Sequence, residues 1–267
     1  MTNLNQLMNM NGRCALVTGA AGGLGHVMCE TLAEMGADLV LVDLPDGGLS
    51  AQAKSLAQQY ATNVEAEPCD LEDAAQREAL AERVLGNGKP IDVLINNAAF
   101  VGTSKLQGWS EPFEKQTVET WRRALEVNLT SVFHLCQLFT QVLRESQNGT
   151  IINIASIYGE YGPDWSLYEG TPMTNPAAYA SSKGGVIQFT RWLATTLGPD
   201  IRANVISPGG VARGQPDSFV DRYKSRTPLG RMAREDDFRG AVAYLASDMS
   251  AYVTGQVLRV DGGWGVW

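Results

Sequence analysis

At 267 residues, with 44% hydrophobic and 19% charged residues, the chain has ordinary globular composition and enough length to bury a sizeable core. Its formal net charge of −8 argues against nucleic acid or an anionic membrane as the main partner. No apolar run approaches the ~20 residues that span a bilayer, and residues 1–11 lack the basic region and apolar core of a secretory signal, so a cytoplasmic protein is expected. The four cysteines, Cys14, Cys29, Cys69 and Cys136, are far apart and show no metal-ligand spacing. Buried reduced thiols are expected, and no metal site.

In chain order, Cys14-Ala-Leu-Val17 predicts a buried strand over 13–18. Thr18-Gly-Ala-Ala-Gly-Gly-Leu-Gly25 follows, and then a helical pattern over 23–35 that stops at Gly36. A second strand over 38–43 ends in Asp43, 18 residues after Gly25. Further strands are predicted over 64–69, 91–96, 150–155, 201–207 and 256–260. Helices are predicted over 49–61, 72–87, 117–147, 176–198 and 235–247; the acidic run Glu235-Asp236-Asp237 suits a helix N-terminus. Strands alternating with helices indicate βαβ units, hence a doubly wound α/β fold with about seven parallel strands and helices on both faces. No linker divides the chain, so residues 1–267 read as one domain. Two stretches, 157–175 and 209–234, resist regular assignment. Both follow strand ends on the carboxyl side of the sheet, where such folds bind ligands.

A strand, a glycine-rich turn and a helix N-terminus make a site for a pyrophosphate, with tight turning and close backbone approach at Gly19, Gly23 and Leu24. Asp43 stands close to where a carboxylate would hydrogen-bond an adenosine ribose. A dinucleotide is therefore the expected cofactor. Downstream, Tyr179-Ala-Ser-Ser-Lys183 places a phenol and an ammonium on one helix face. A free phenol has a pKa of ~10, and a cation ~4 Å away at an effective dielectric of ~20 contributes roughly 4 kcal/mol in favour of the phenolate before desolvation acts. The pair can make a general base from a tyrosine. Ser156 ends the strand Ile151-Ile-Asn-Ile-Ala155, where its hydroxyl can either meet a substrate oxygen or cap a turn.

With Cys69-Asp70-Leu71, Asn96-Asn97-Ala98-Ala99, Asn128, Pro208-Gly209 and Val260-Asp261-Gly262-Gly263 added in order, the chain resembles the short-chain dehydrogenase/reductase family from about Gly12 to Gly263. The resemblance implies a Rossmann-type domain, and Tyr179 as the general acid/base. Lys183 would be its electrostatic partner and a donor to the nicotinamide ribose. Ser156 would hold the substrate oxygen, and Asn128 a proton-relay water near Lys183. It places Asp70 and Leu71 at the adenine, although Asp70 can also cap the helix from Glu72. It places Asn97 and Ala98 at the adenosine ribose, and Pro208 and Val211 at the nicotinamide. A homotetramer is implied too, with independent support from the apolar helix 117–147 and the tail Trp264–Trp267. NAD is expected over NADP, because Asp43 would repel a 2′-phosphate and no Arg or Lys stands at Ala20, Ala21 or Leu44.

Three departures from the family pattern stand out. Ala99 stands where Gly is common. Arg213 stands where the family often has Thr, and could meet an anionic substrate or the cofactor phosphates. Twenty-two residues separate Ser156 from Tyr179, roughly ten more than usual, which points to a functional loop. That insert carries Tyr158, Tyr161, Asp164, Trp165, Tyr168 and Glu169. Such a set suits a polyhydroxylated ligand, and equally a hydrophobic plug or subunit contact. Trp165 and Arg213 are expected against the substrate, with Arg222 and Arg226 available to a phosphate or carboxylate. His26 and His134 are expected in structural roles.

The function expected is hydride transfer between NAD and a secondary alcohol or ketone of a small polar substrate, such as a sugar derivative. The alternatives are a dinucleotide-binding regulatory or scaffold protein, and an epimerase or dehydratase that recycles its NAD.

Overall fold

The computed structural model describes residues 2–45, 48–86, 88–100 and 106–267. All seven predicted strands form: β1 Cys14–Thr18, β2 Asp38–Asp43, β3 Val64–Pro68, β4 Val93–Asn96, β5 Thr150–Ile154, β6 Arg202–Pro208 and β7 Val257–Val260. They build one parallel sheet in the order β3-β2-β1-β4-β5-β6-β7. The order reverses between β1 and β4, so a crevice opens at the carboxyl ends of these two strands.

The helices are α1 Leu4–Met8, α2 Gly23–Glu34, α3 Leu49–Tyr60, α4 Ala74–Gly86, α5 Val118–Leu125, α6 Ser131–Glu145, α7 Ala177–Leu197, α8 Asp217–Arg226 and α9 Arg239–Ala246. Asn87, the expected end of the fourth helix, lies outside the described residues. Strand side chains alternate between faces, and here both faces are apolar. Leu16, Val40, Leu94 and Ile151 face α4, α6 and α7. Ala15, Val17, Leu39 and Ile152 face α2, α3 and α9.

Three differences from the sequence reading matter for the site. The helix expected over 117–147 forms without a break from Val118 to Glu145, but it takes a π turn over Glu126–Thr130 between α5 and α6. Helix α8 forms inside the stretch 209–234, where no helix was expected. The stretch 157–175 holds two 3₁₀ turns, Ile157–Gly159 and Trp165–Tyr168. Its Ile157, Leu167 and Tyr168 pack with Phe219 and Tyr223 of α8 and with Trp264 into an aromatic cap. Among the described residues, no helix is long and apolar enough to cross a membrane.

Candidate active site

The glycine turn is held by its neighbours at the sheet crevice. Thr18, the last residue of β1, accepts on its hydroxyl from the backbone N–H of Asn97 at 3.0 Å and of Ala98 at 3.1 Å. The Asn97 amide donates in turn to the carbonyls of Thr18 and Gly19, both at 3.0 Å. Gly19 has φ of +63°, and a Cβ there would sit 2.8 Å from Ala98 Cα. A Cβ at Gly25 would run into the Gly19 carbonyl, so only glycine lets the turn close on itself. Asp43 ends β2 beneath this turn. Its Oδ2 accepts from Ala21 N–H and its Oδ1 from Leu44 N–H, each at 2.8 Å.

The result is a cleft of about 840 Å³. Every position expected at the cofactor lines it: Gly19, Gly23, Leu24, Asp43, Asp70, Leu71, Asn97, Ala98, Tyr179, Lys183, Pro208 and Val211. Helix α2 starts at Gly22 with no side-chain cap, which leaves its first N–H groups and its positive dipole end to an anion. Asp70 caps the turn after it, accepting from Glu72 N–H at 2.9 Å, and still faces the cleft. Leu71 is fixed through its carbonyl, which accepts from the buried Arg77; Arg77 also pairs with Glu126 at 2.8 Å. The cleft's size, bare helix end and carboxylate at the second strand fit a nicotinamide dinucleotide.

Ser156, Tyr179 and Lys183 meet at the inner end of this cleft. Ser156 follows β5 and caps the first 3₁₀ turn, accepting from Tyr158 N–H at 3.2 Å. Its hydroxyl also faces Tyr179 and favours the phenolate. Lys183 is 3% exposed and its Nζ donates to the Ile154 carbonyl at 2.8 Å. Burial lowers its pKa to about 8. Its Nζ lies 5.8 Å from the centroid of the Tyr179 ring. Burial raises the Tyr179 pKa, and the Ser156 hydrogen bond and the Arg213 charge oppose it less strongly. Desolvation thus outweighs the base-making effect expected of Lys183 in the protein alone.

Asn128 sits in the π turn, 1% exposed. Its Oδ1 accepts from Phe100 N–H at 2.6 Å and its Nδ2 donates to Ser182 Oγ at 3.1 Å. Its side chain therefore ties the Phe100 loop to α7.

Beyond Ser156 and Tyr179 a second chamber of about 560 Å³ opens, lined by Tyr158, Tyr168, Asn175, Phe219, Tyr223 and Met232 among others. None of its described lining residues carries a charge. The arginines expected at a substrate anion are engaged elsewhere. Arg213 lines the cofactor cleft beside Gly23 and pairs with Glu235 at 3.3 Å. Arg222 donates to the carbonyls of Leu167 and Glu169. Arg226 pairs with Asp164 at 2.8 Å and lies over the Trp264 ring. Both tie α8 to the insert. Trp165, also expected at the substrate, lines neither space; it is exposed and packs on Tyr168. Asn175, Tyr223 and Gln215 were not singled out from sequence. The Tyr223 hydroxyl accepts from Gly210 N–H and holds the turn after β6, a long-range role with no local signature. His26 and His134 line neither space; they face Glu30 and Arg77, respectively. No group of metal-ligating side chains occurs among the described residues.

A family model described as enoyl-(acyl carrier protein) reductase matches residues 19–265. The 3-oxoacyl-(acyl-carrier-protein) reductase FabG of Thermotoga maritima is 32% identical over 96% of this chain and 99% of its own length. The galactitol 2-dehydrogenase (L-tagatose-forming) of Cereibacter sphaeroides is 32% identical over 98% of both chains. Among solved structures, a putative NAD(P)-dependent gluconate 5-dehydrogenase from Beutenbergia cavernae, with bound NADP at low occupancy, superposes with a TM-score of 0.86. It is 32% identical and covers 98% of this chain and 100% of its own.

Proposed function

This chain belongs to the short-chain dehydrogenase/reductase family, and we propose that it uses NAD to interconvert a secondary alcohol and a ketone on a small hydroxylated substrate. Oxidoreduction at CH–OH groups with a nicotinamide cofactor is the activity of the family. The observation that carries the rest is the position of Ser156 and Tyr179, which, with Gln215, line both the dinucleotide cleft and the tyrosine-lined chamber. An alcohol held in the chamber meets both the cofactor and the proton acceptor there.

When bound, the nicotinamide accepts or supplies the hydride. In the oxidation direction Tyr179 Oη takes the hydroxyl proton while Ser156 Oγ holds the same oxygen. Lys183, positioned by the Ile154 carbonyl, would donate to the nicotinamide ribose and add positive charge near the phenol. Asn128 acts as a positioning residue, fixing α7 and the Phe100 loop. NAD rather than NADP follows from Asp43, whose carboxylate is clamped at the turn and would repel a 2′-phosphate. One domain fits the single seven-stranded sheet, and a cytoplasmic location fits four free, buried cysteines. A homotetramer is proposed from the aromatic face of α6 and α7 described below.

Steady-state assay of a panel of secondary alcohols and ketones, with NAD and NADP, tests this. Turnover in neither direction with any of them would overturn it.

A further inference from the structure

The chamber places a hydrogen-bond donor and an acceptor where a second part of the substrate must lie. The Tyr168 hydroxyl donates to the Tyr158 hydroxyl at 2.6 Å. Only one of the two hydroxyl hydrogens is used between them, so the pair, which Asn175 adjoins at Tyr168, keeps one hydroxyl hydrogen that Tyr158 can present to the chamber. Asn175 is 6% exposed, lines the same chamber, and its Oδ1 has no hydrogen-bond partner among the described residues. Tyr158 follows Ser156 by two residues, and the Ser156 hydroxyl caps its N–H, so the two side chains are held in one rigid turn. Burial raises the pKa of both Tyr158 and Tyr168, so both are neutral hydroxyls around neutral pH.

We infer that the substrate is an uncharged polyhydroxylated molecule, read at a second hydroxyl by Tyr158, with Tyr168 and Asn175 as positioning residues. The inference deepens the oxidoreductase chemistry above and depends on it. A carboxylate or phosphate would enter a chamber with no charged side chain in its lining: Arg222 and Arg226 are tied to the insert, and Arg213, whose charge reaches Tyr179, lines the cofactor cleft and pairs with Glu235. An uncompensated buried anion is strongly unfavourable. A plain ketone would leave the Tyr158 donor and the Asn175 acceptor unpaired, which is also unfavourable. A neutral polyol meets both, while Phe219 and Met232 supply apolar contact for its carbon chain.

The test compares wild type with Tyr158→Phe on three kinds of probe: neutral polyols (sorbitol, xylitol and galactitol), D-gluconate, and 2-butanol. Wild type should favour a polyol over gluconate and 2-butanol. Tyr158→Phe keeps the ring and should lower kcat/KM for that polyol about tenfold, mainly through KM, while the rate on 2-butanol changes little. Binding of NAD and the melting temperature of the variant report whether the fold and cofactor site are intact. Preference for gluconate or 2-butanol, or an equal loss on all probes, would overturn the inference and leave the oxidoreductase reading standing. No turnover of any secondary alcohol or ketone would remove both.

Discussion

Lys183 donates to the carbonyl of Ile154 at 2.8 Å from a position only 3% exposed, and burial alone lowers its pKa from 10.5 to about 8. Between those two values the unfolded chain holds a proton that the folded chain has released. Stability contributed by this group therefore rises with pH across that window. Lys183→Met lacks the titration. Relative to it, wild type should gain about 2–3 kcal/mol between near pH 7 and near pH 10. Denaturant titrations at the two pH values measure the gap. A gap independent of pH would show that the ammonium is not desolvated as described.

Tyr179→Phe should lower turnover by about 10²–10⁴-fold and leave NAD binding largely intact, since the ring still packs but the proton carrier is lost. Because burial raises the Tyr179 pKa, the phenol stays protonated at neutral pH until the site fills. Alcohol oxidation by wild type should accordingly speed up as pH rises through neutrality. Most of the rate surviving in the variant would remove Tyr179 from the acid/base role.

Asp43 accepts from two backbone N–H groups, Ala21 and Leu44. Asp43→Asn keeps an acceptor but drops the charge. Wild type should prefer NAD by tenfold or more in kcat/KM, about 1.4 kcal/mol or above, and the variant should narrow that ratio. Equal efficiency of wild type with both cofactors contradicts the assignment.

Joint replacement Arg222→Ala and Arg226→Ala would release the insert from α8. Three backbone or carboxylate partners lose their donors, but the Arg226–Asp164 pair is partly solvated, so a stability loss of about 1–2 kcal/mol is expected. The KM for substrate should rise several-fold with the KM for NAD unchanged. Parallel changes in both constants would mean that the insert also shapes the cofactor cleft.

Phe133 of α6 packs at a tilt against Phe189 of α7 at 5.8 Å between centroids, and Phe189 stacks on Trp192 at 6.2 Å. Phe133 is 47% and Trp192 55% exposed, a continuous aromatic face of the kind that a partner subunit covers. Light scattering should give a tetramer, and Trp192→Glu should lower the mass. A wild-type monomer at micromolar concentration would refute this.

The sheet was legible because its inner strands β1, β2, β4, β5 and β6 are buried on both faces and so appear as short apolar runs between turn signals. The glycine turn, Asp43 and the Tyr179–Lys183 pair were legible because each depends on spacing within a few residues. What escaped depends on contacts far apart in the chain. Helix α8, Asp217-Ser-Phe-Val-Asp-Arg-Tyr-Lys-Ser-Arg226, buries only Phe219 and Tyr223, and Arg222 anchors it to the insert. The π turn at Asn128 leaves no trace in the hydrophobic pattern. The engagement of Arg213 by Glu235, across 22 positions, redirected an arginine expected at the substrate. Desolvation of Tyr179 and Lys183 is likewise a property of the assembled fold.

The chamber walls come chiefly from 157–176 and 209–232, neither of which contributes a strand to the sheet. The cofactor cleft is built mainly from strand ends and the turns that follow them. Inheritance can therefore act on the two largely separately, provided Gly209, Val211, Arg213 and Gln215, which lie in the second stretch and also line the cofactor cleft, are kept. After gene duplication, a copy could change its clientele by edits confined to two stretches of surface chain, with hydride chemistry conserved. A chimera that exchanges both stretches together with a relative's would carry the donor's selectivity onto this redox frame, whereas moving one alone would break the arginine ties that hold them in register.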